Sequence, residues 1–159
     1  MEEIKKLTRL ALPSDNVYLF RIGVALYGFA SINSFMCEVI AHIDDQYNHT
    51  LLQDKESGEI LDIFRQTLKS LKPSKRLINT HGIIKEAADL FEQLNTKRND
   101  IIHTYPITNK KGEQILHRRK DSKGKYFEVT NDFLDSFISQ LHDVSSRLYK
   151  IRDLVRTEK

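Results

Sequence analysis

The sequence predicts an all-α fold, a four- to five-helix bundle with a small β-hairpin inserted before the last helix. Three observations predict it. Apolar residues recur every three or four positions in several long segments, turn residues cluster in one short segment, and 159 residues suit one domain. Apolar residues make up 40% of the chain, enough to fill a core. We therefore expect residues 1–159 to form a single domain.

The first two helices are marked by capping residues and by a long apolar stripe. Residues 1 to 12 predict a short helical arm, which the segment Pro13-Ser14-Asp15-Asn16 ends while offering capping side chains to the next helix. That helix is predicted over residues 16 to 47, because apolar residues follow one face. The stripe consists of Leu19, Ile22, Leu26, Phe29, Asn33, Met36, Ile40, Ile43 and Tyr47.

Further apolar residues widen this stripe, so the helix is expected to be buried on more than one side, with part of the excess facing a second subunit. They are Val17, Phe20, Val24, Tyr27, Phe35 and Val39. Asn33 falls on the stripe, and a buried amide needs a hydrogen-bond partner. It either bonds to a neighbouring helix or sets the register of a dimer interface, and the sequence favours neither.

The rest of the chain predicts two helices, a β excursion and a last helix. Residues 48 to 58 are polar and predict a loop, and residues 59 to 72 predict a helix that Pro73 ends. A third helix starts near residue 79 and must stop by Tyr105, because Pro106 cannot continue it. Residues 107–129 combine turn signals with two short strand-like segments, 114–117 and 126–129, and predict a small basic β-hairpin or meander. Residues 130 to 132 then cap the last helix.

Several classes of site are excluded by composition and spacing. Cys37 is the only cysteine, so the chain has no internal disulfide framework, and we expect a buried, inert thiol. The histidines outside the motif described below show no metal-ligand spacing with carboxylates or with Cys37. No phosphate-binding loop, nucleophile elbow or dinucleotide fingerprint occurs. We expect neither a cofactor nor a metal.

The sequence also carries expectations about location. No apolar segment followed by a cleavage site begins the chain, and no stretch of 18 apolar residues occurs, so we expect a cytoplasmic protein without a membrane segment. The formal net charge of +3 leans mildly toward anionic partners.

One short segment combines residues suited to chemistry on phosphates, at the end of the third helix. It reads Arg98-Asn99-Asp100-Ile101-Ile102-His103-Thr104-Tyr105. Chance alone gives about 0.4 pairs of Arg and His at this spacing in such a chain, so the bare pair is weak, and Arg76 with His81 forms a second. Requiring a polar Asn, Asp or His after the arginine and a tyrosine two residues after the histidine lowers the expectation to about 0.002.

This segment resembles the motif of the HEPN domains, small helical bundles with Arg, a polar residue, three further residues and His. Here those positions hold Arg98, Asn99 and His103. Tyr105 matches a subgroup that includes toxins paired with a nucleotidyltransferase antitoxin, whose target is this tyrosine. The resemblance implies a metal-independent endoribonuclease in a toxin or antiviral role, with a composite site at a homodimer interface. It covers residues 14 to 156 in architecture and eight residues in motif.

The residue types fit RNA cleavage. RNA carries its own nucleophile, the 2′-hydroxyl, so an enzyme supplies a base and a cation for the phosphate. His103 is the natural base and Arg98 the natural phosphate clamp, while Asn99 could orient either. A spacing of five residues turns about 140° around a helix, so the two side chains do not share one face. They could converge where the helix frays, whereas the resemblance implies that they meet across a two-fold axis with their copies. The implied product is a 2′,3′-cyclic phosphate.

Plainer interpretations of the same residues stay open. His103 could complement the helix dipole, Arg98 could be a solvated surface residue, and Tyr105 could be a core aromatic. The basic run after the motif could track an RNA backbone or form a solvated loop, with equal weight. Its candidate RNA-binding residues are Lys110, Lys111, Arg118, Arg119 and Lys120.

Two functional hypotheses follow. The first is a HEPN-type ribonuclease acting as a homodimer on an RNA substrate, with a possible antitoxin or nucleotidyltransferase partner. The alternative is a non-catalytic helical subunit that binds RNA or protein in a defence or toxin–antitoxin complex.

Overall fold

The computed structural model describes residues 2–8, 10, 12–70, 77–119 and 126–156. Elements are numbered in chain order. The described helices are α1 (Glu2–Lys6), α2 (Asn16–Ile43), α3 (His49–Gln53), α4 (Ser57–Ser70), α5 (Leu77–Ile102) and α6 (Asn131–Arg156). The described strands are β1 (Tyr105–Thr108), β2 (Gln114–Arg119) and β3 (Tyr126–Val129). The predominance of long helices is confirmed.

The β excursion has three strands, so of the two alternatives that the sequence left open it is a meander and not a simple hairpin. They form an antiparallel sheet in the order β1-β2-β3. The strand that the sequence missed is β1, which starts at Tyr105, opposite His117. Pro106 was taken only as a helix stop, but a proline also fits an edge strand, where its missing N–H costs no ladder bond. The sheet therefore begins within the motif itself.

Two helix boundaries also differ from the sequence expectation. α2 ends at Ile43 rather than near residue 47, because Asp44 accepts a hydrogen bond from the Gln46 N–H at 3.0 Å and starts a turn. The predicted loop at 48–58 contains α3, whose cap Asn48 accepts from the Leu51 N–H at 2.9 Å. The predicted stop at Pro73 lies outside the described residues.

α2 is the central element of the bundle and packs against α4, α5 and α6. Its buried residues include Phe29, whose ring stacks on Phe91 of α5 with centroids 5.3 Å apart. At Gly28 an added Cβ would lie 2.8 Å from Leu141 Cδ1, so this glycine permits the close approach of α6. Cys37 is buried as expected, and burial raises the pKa of its thiol.

The opposite side of α2 is exposed and apolar. Val17, Phe20 and Tyr27 are 55%, 68% and 78% exposed, and Ala30 continues the row. We call these four residues the α2 outer face. Their spacing of three and seven places them on one side of the helix. Several side chains that widened the predicted stripe are therefore outside the core of the single chain.

By length and composition alone, α2 would qualify as a membrane span, contrary to the expectation from the sequence. The core helix of a soluble protein passes the same test, and 39% of the most apolar window of α2 is buried within the bundle. The absence of a membrane segment stays a prediction.

Tyr18 of α2 attaches the sheet to the bundle. Its hydroxyl donates to the carbonyl of Val129 on β3 at 2.8 Å and accepts from the N–H of Leu116 on β2 at 2.9 Å. Leu116 and Val129 are cross-strand partners, so one buried hydroxyl bridges both strands. Burial also raises the pKa of Tyr18, since the phenolate would lose its hydration.

We expect Tyr18→Phe to lower the free energy of unfolding by about 2 kcal/mol, because two buried backbone groups lose their partner. Urea denaturation followed by circular dichroism measures it. Tyr149→Phe is the matched control, since Tyr149 is 49% exposed and lies outside the α2 outer face, so the loss of its hydroxyl should change little. Equal stabilities of the two variants would contradict the bridge.

The same residue predicts a pH dependence. The pKa of Tyr18 is raised in the folded chain, so its stabilising contribution is complete below the ordinary tyrosine pKa of about 10 and declines as pH rises above it. Urea denaturation between pH 9 and about pH 11 should show a shallower loss of stability for Tyr18→Phe than for wild type. If the free energy of unfolding falls equally with pH in wild type and Tyr18→Phe, the raised pKa of Tyr18 is contradicted.

Candidate functional site

The motif spans the junction between α5 and β1. α5 ends at Ile102, but the next N–H continues the helical pattern, since His103 donates to the Asn99 carbonyl at 3.2 Å. Thr104 closes the turn, because its hydroxyl donates to the Ile101 carbonyl at 2.6 Å. Tyr105 then begins β1. Arg98 and Asn99 therefore lie on a rigid helix, whereas His103 lies in its terminal turn.

Arg98 is held against the core rather than free in solvent. Its guanidinium carbon lies 5.3 Å from the centroid of the Phe29 ring, and its Nη1 donates to Asn99 Oδ1 at 2.9 Å. The cation–π contact and the hydrogen bond together restrict the position of the guanidinium. The structure thus joins Arg98 with Asn99, and the interpretation of Arg98 as a merely solvated residue is wrong.

Arg98 lines a surface groove of about 370 Å³, which we call the Arg98 groove. Three helices form it. α2 contributes Leu26, Phe29, Ala30 and Asn33, α4 contributes Ser57, and α5 contributes Arg98 and Ile102. Ala30 belongs both to this groove and to the α2 outer face, so the two surfaces are continuous. The groove joins apolar walls to a cation, an amide and a hydroxyl.

His103 is exposed, and no hydrogen bond or ring contact joins it to Arg98 among the residues that the structure describes. The reason is the helical rotation between the two positions, because Arg98 follows the buried face of α5 and His103 does not. A single chain does not bring the two residues together.

Tyr105 is 51% exposed, so the alternative of a core aromatic is wrong. Its ring contacts the ring of its cross-strand partner His117 edge to face, with centroids 5.4 Å apart. A half-exposed phenol on an edge strand is sterically open to a modifying enzyme, and its modification stays a prediction.

An ion pair ties the sheet to the motif. Arg118 of β2 places its Nη1 2.8 Å from Asp100 Oδ1 and 3.4 Å from the carbonyl of Asn99. The side chain of Asp100 is only 13% exposed, so the pair is largely removed from solvent. Arg118 therefore holds the last turn of α5, and its predicted contact with RNA would have to use its remaining donors.

The other basic candidates lie at different ends of the sheet. Lys110 and Lys111 are exposed in the turn between β1 and β2, which starts four residues beyond Tyr105. Arg119 ends β2, on the side of the sheet that carries the motif. Lys120, the remaining candidate, lies outside the described residues. The structure thus separates Lys110 and Lys111 from Arg118, and RNA binding by this set stays a prediction.

Sequence reasoning missed that Phe29 lies under Arg98 and that Ser57 lines the same groove. Phe29 was assigned to the core stripe without a functional neighbour, and Ser57 was placed in a loop. A usable signal was the spacing Ala87, Phe91, Leu94 and Arg98 on α5, because steps of four, three and four put the arginine on the buried face. Within the described ranges, no three His, Cys, Asp or Glu residues are grouped as metal ligands would be.

The chain matches no family model, no curated protein and no solved structure in comparisons with known proteins. The motif and its geometry are therefore the evidence on which a function can be proposed.

We expect Asp100 and Arg118 to be energetically coupled by about 1–2 kcal/mol in a double-mutant cycle of Asp100→Asn and Arg118→Met. Each single variant removes one side of the ion pair, so the double variant should lose less than the sum of the singles. Urea denaturation provides the four free energies of unfolding.

The control cycle is Glu86→Gln with Arg147→Met, a pair at 3.2 Å whose carboxylate is 64% exposed. Its coupling should be below about 1 kcal/mol. Additive losses at Asp100 and Arg118 would show that the pair does not hold the sheet to α5.

Proposed function

We propose that the protein is a metal-independent endoribonuclease of the HEPN type, with Arg98 as the phosphate clamp, His103 as the general base and Asn99 as the group that orients Arg98. The observation that carries the proposal is the fixed guanidinium of Arg98, held by Phe29 and Asn99 in an open groove. A preorganised cation stabilises the charge of a phosphate in the transition state without reorganisation at the moment of reaction.

The proposed reaction needs no outside nucleophile. The imidazole of His103 takes the proton from a ribose 2′-hydroxyl, and the resulting oxygen attacks the adjacent phosphorus. The bond from phosphorus to the 5′-oxygen breaks, and a protonated imidazole returns a proton to that oxygen. The products are a 2′,3′-cyclic phosphate and a 5′-hydroxyl, and Arg98 neutralises the phosphate oxygens throughout.

The proposed active unit is a homodimer. The single chain separates Arg98 from His103, so a complete site needs a second copy. The α2 outer face offers a surface for it, since Phe20 and Tyr27 expose apolar area that monomers rarely leave open. Because Ala30 lies on both surfaces, an interface on this face would border the Arg98 groove of each copy.

The proposed biological role, as toxin or antiviral effector, follows from the resemblance of the motif. The half-exposed Tyr105 fits modification by a nucleotidyltransferase partner, which would place a bulky group beside the site. The second candidate function is a non-catalytic RNA-binding subunit. It is favoured by the exposure of Lys110 and Lys111, which could contact phosphates at the far end of the sheet.

We expect the purified protein to cut a labelled RNA in EDTA, and Arg98→Ala and His103→Ala each to slow cleavage by about 100-fold or more. Arg98→Lys should recover only part of the rate, because it keeps the charge but loses the planar fork. Gel electrophoresis gives the rates, and direct labelling of the 5′-hydroxyl by a polynucleotide kinase identifies the product end.

His81→Ala is the matched control, since His81 is an exposed α5 histidine outside the site and its loss should leave the rate unchanged. Circular dichroism must show that Arg98→Ala is folded, because this variant loses the contact with Phe29. If wild type and the two site variants cut alike, or if none cuts, Arg98 and His103 have no catalytic role under these conditions.

We expect wild type to run at twice the chain mass of 18.6 kDa in size-exclusion chromatography with light scattering. Tyr27→Glu should shift it to the monomer and abolish cleavage in parallel, because the charge would be buried in the interface. Leu51→Glu is the control, at a residue of α3 that is 58% exposed and outside the α2 outer face. A wild type that stays monomeric at micromolar concentration would exclude the composite site.

A further inference from the structure

A buried amide oxygen lies at the Arg98 groove without a partner. Asn33 of α2 lines the groove, but its Oδ1 accepts no hydrogen bond from any residue within the described ranges. Buried polar atoms are nearly always paired, so an unpaired one is retained at a cost in stability. No described residue of a neighbouring helix donates to this oxygen, so a ligand that enters the groove can supply its partner.

The surroundings of Asn33 suit a planar ligand that carries a phosphate. The guanidinium of Arg98 lies over the Phe29 ring and lines the groove, so part of it is available to a ligand there. RNA-binding proteins stack unpaired bases on such guanidinium planes. Leu26 and the half-exposed Ile102 supply apolar walls, and a volume of about 370 Å³ falls within the range of small-ligand sites.

We propose that the Arg98 groove binds an adenine base of the RNA next to the scissile phosphate, with Asn33 as the residue that determines base specificity. The substrate class rests on the proposed function. An asparagine amide recognises adenine with two hydrogen bonds, since the base amine donates to Oδ1 and Nδ2 donates to N7. The terminal amide torsion is soft, so rotation about it turns Oδ1 from its buried position into the groove.

A base fits this groove better than a helix of a second subunit does. The large apolar side chains that a second copy would cover, Phe20 and Tyr27, lie on the α2 outer face, and only Ala30 is shared with the groove. The groove instead collects Asn33, Ser57 and Arg98 from three different helices. Converging polar groups between apolar walls are typical of a small-ligand site.

The test compares the binding of adenosine 3′-monophosphate and uridine 3′-monophosphate to the full chain, by NMR titration, and requires no cleavage. Wild type should prefer the adenine nucleotide by about tenfold or more, the discrimination of a bidentate contact. Asn33→Ala should reduce this preference to within about twofold while keeping the affinity for the uracil nucleotide. Asn95→Ala, which removes a half-buried amide of α5 outside the groove, should keep the full preference.

Asn33→Ala should be at least as stable as wild type to urea, because it removes an unpaired buried acceptor. Three results would overturn the proposal: equal binding of both nucleotides by wild type, an unchanged preference in Asn33→Ala, or no binding of either. A change in oligomeric state with unaltered preference would assign Asn33 to a subunit interface and overturn it as well. Adenine preference without RNA cleavage would reject the proposed ribonuclease activity and leave the base site standing.

Discussion

The contact of Phe29 with both Phe91 and Arg98 joins the core of this protein to its candidate site. Phe29 is only 3% exposed, stacks on Phe91 at 5.3 Å and carries the guanidinium of Arg98 at the same distance. Arg98 lies two helical turns after Phe91, so it continues the buried face of α5 to the rim of the bundle. The guanidinium of Arg98 is held in place because the packing of α2 against α5 fixes the Phe29 ring beneath it.

The end of α5 then separates the functional groups. Arg98 and Asn99 are inside the helix, His103 is in its last turn and Tyr105 is the first residue of β1. His103 is exposed, and no hydrogen bond joins it to Arg98 among the described residues. The exposed α2 outer face lies beside the groove, and the proposed dimer uses this continuity.

The sheet supports the same end of α5. Tyr18 connects β2 and β3 to α2, and Arg118 connects β2 to Asp100 in the motif. Arg118, which the sequence offered as an RNA-binding residue, thus also has a structural partner. The pairing of β1 with β2 places Arg118 beside the motif and Lys110 at the other end of the sheet. The basic segment therefore consists of two regions, the exposed turn with Lys110 and Lys111 and the end of β2 with Arg118 beside the motif.

The sequence by itself determined the helical class, the boundaries of β3 and the position of the motif, because apolar periodicity, turn residues and a proline act locally. It did not determine β1, since a proline that ends a helix also fits an edge strand. Only the tertiary structure decided that Phe29 carries Arg98, that Arg118 pairs with Asp100 and that no described residue donates to Asn33 Oδ1 beside the groove. These contacts join residues 18 to 69 positions apart along the chain, and local patterns carry no information about which distant helix or strand will meet them.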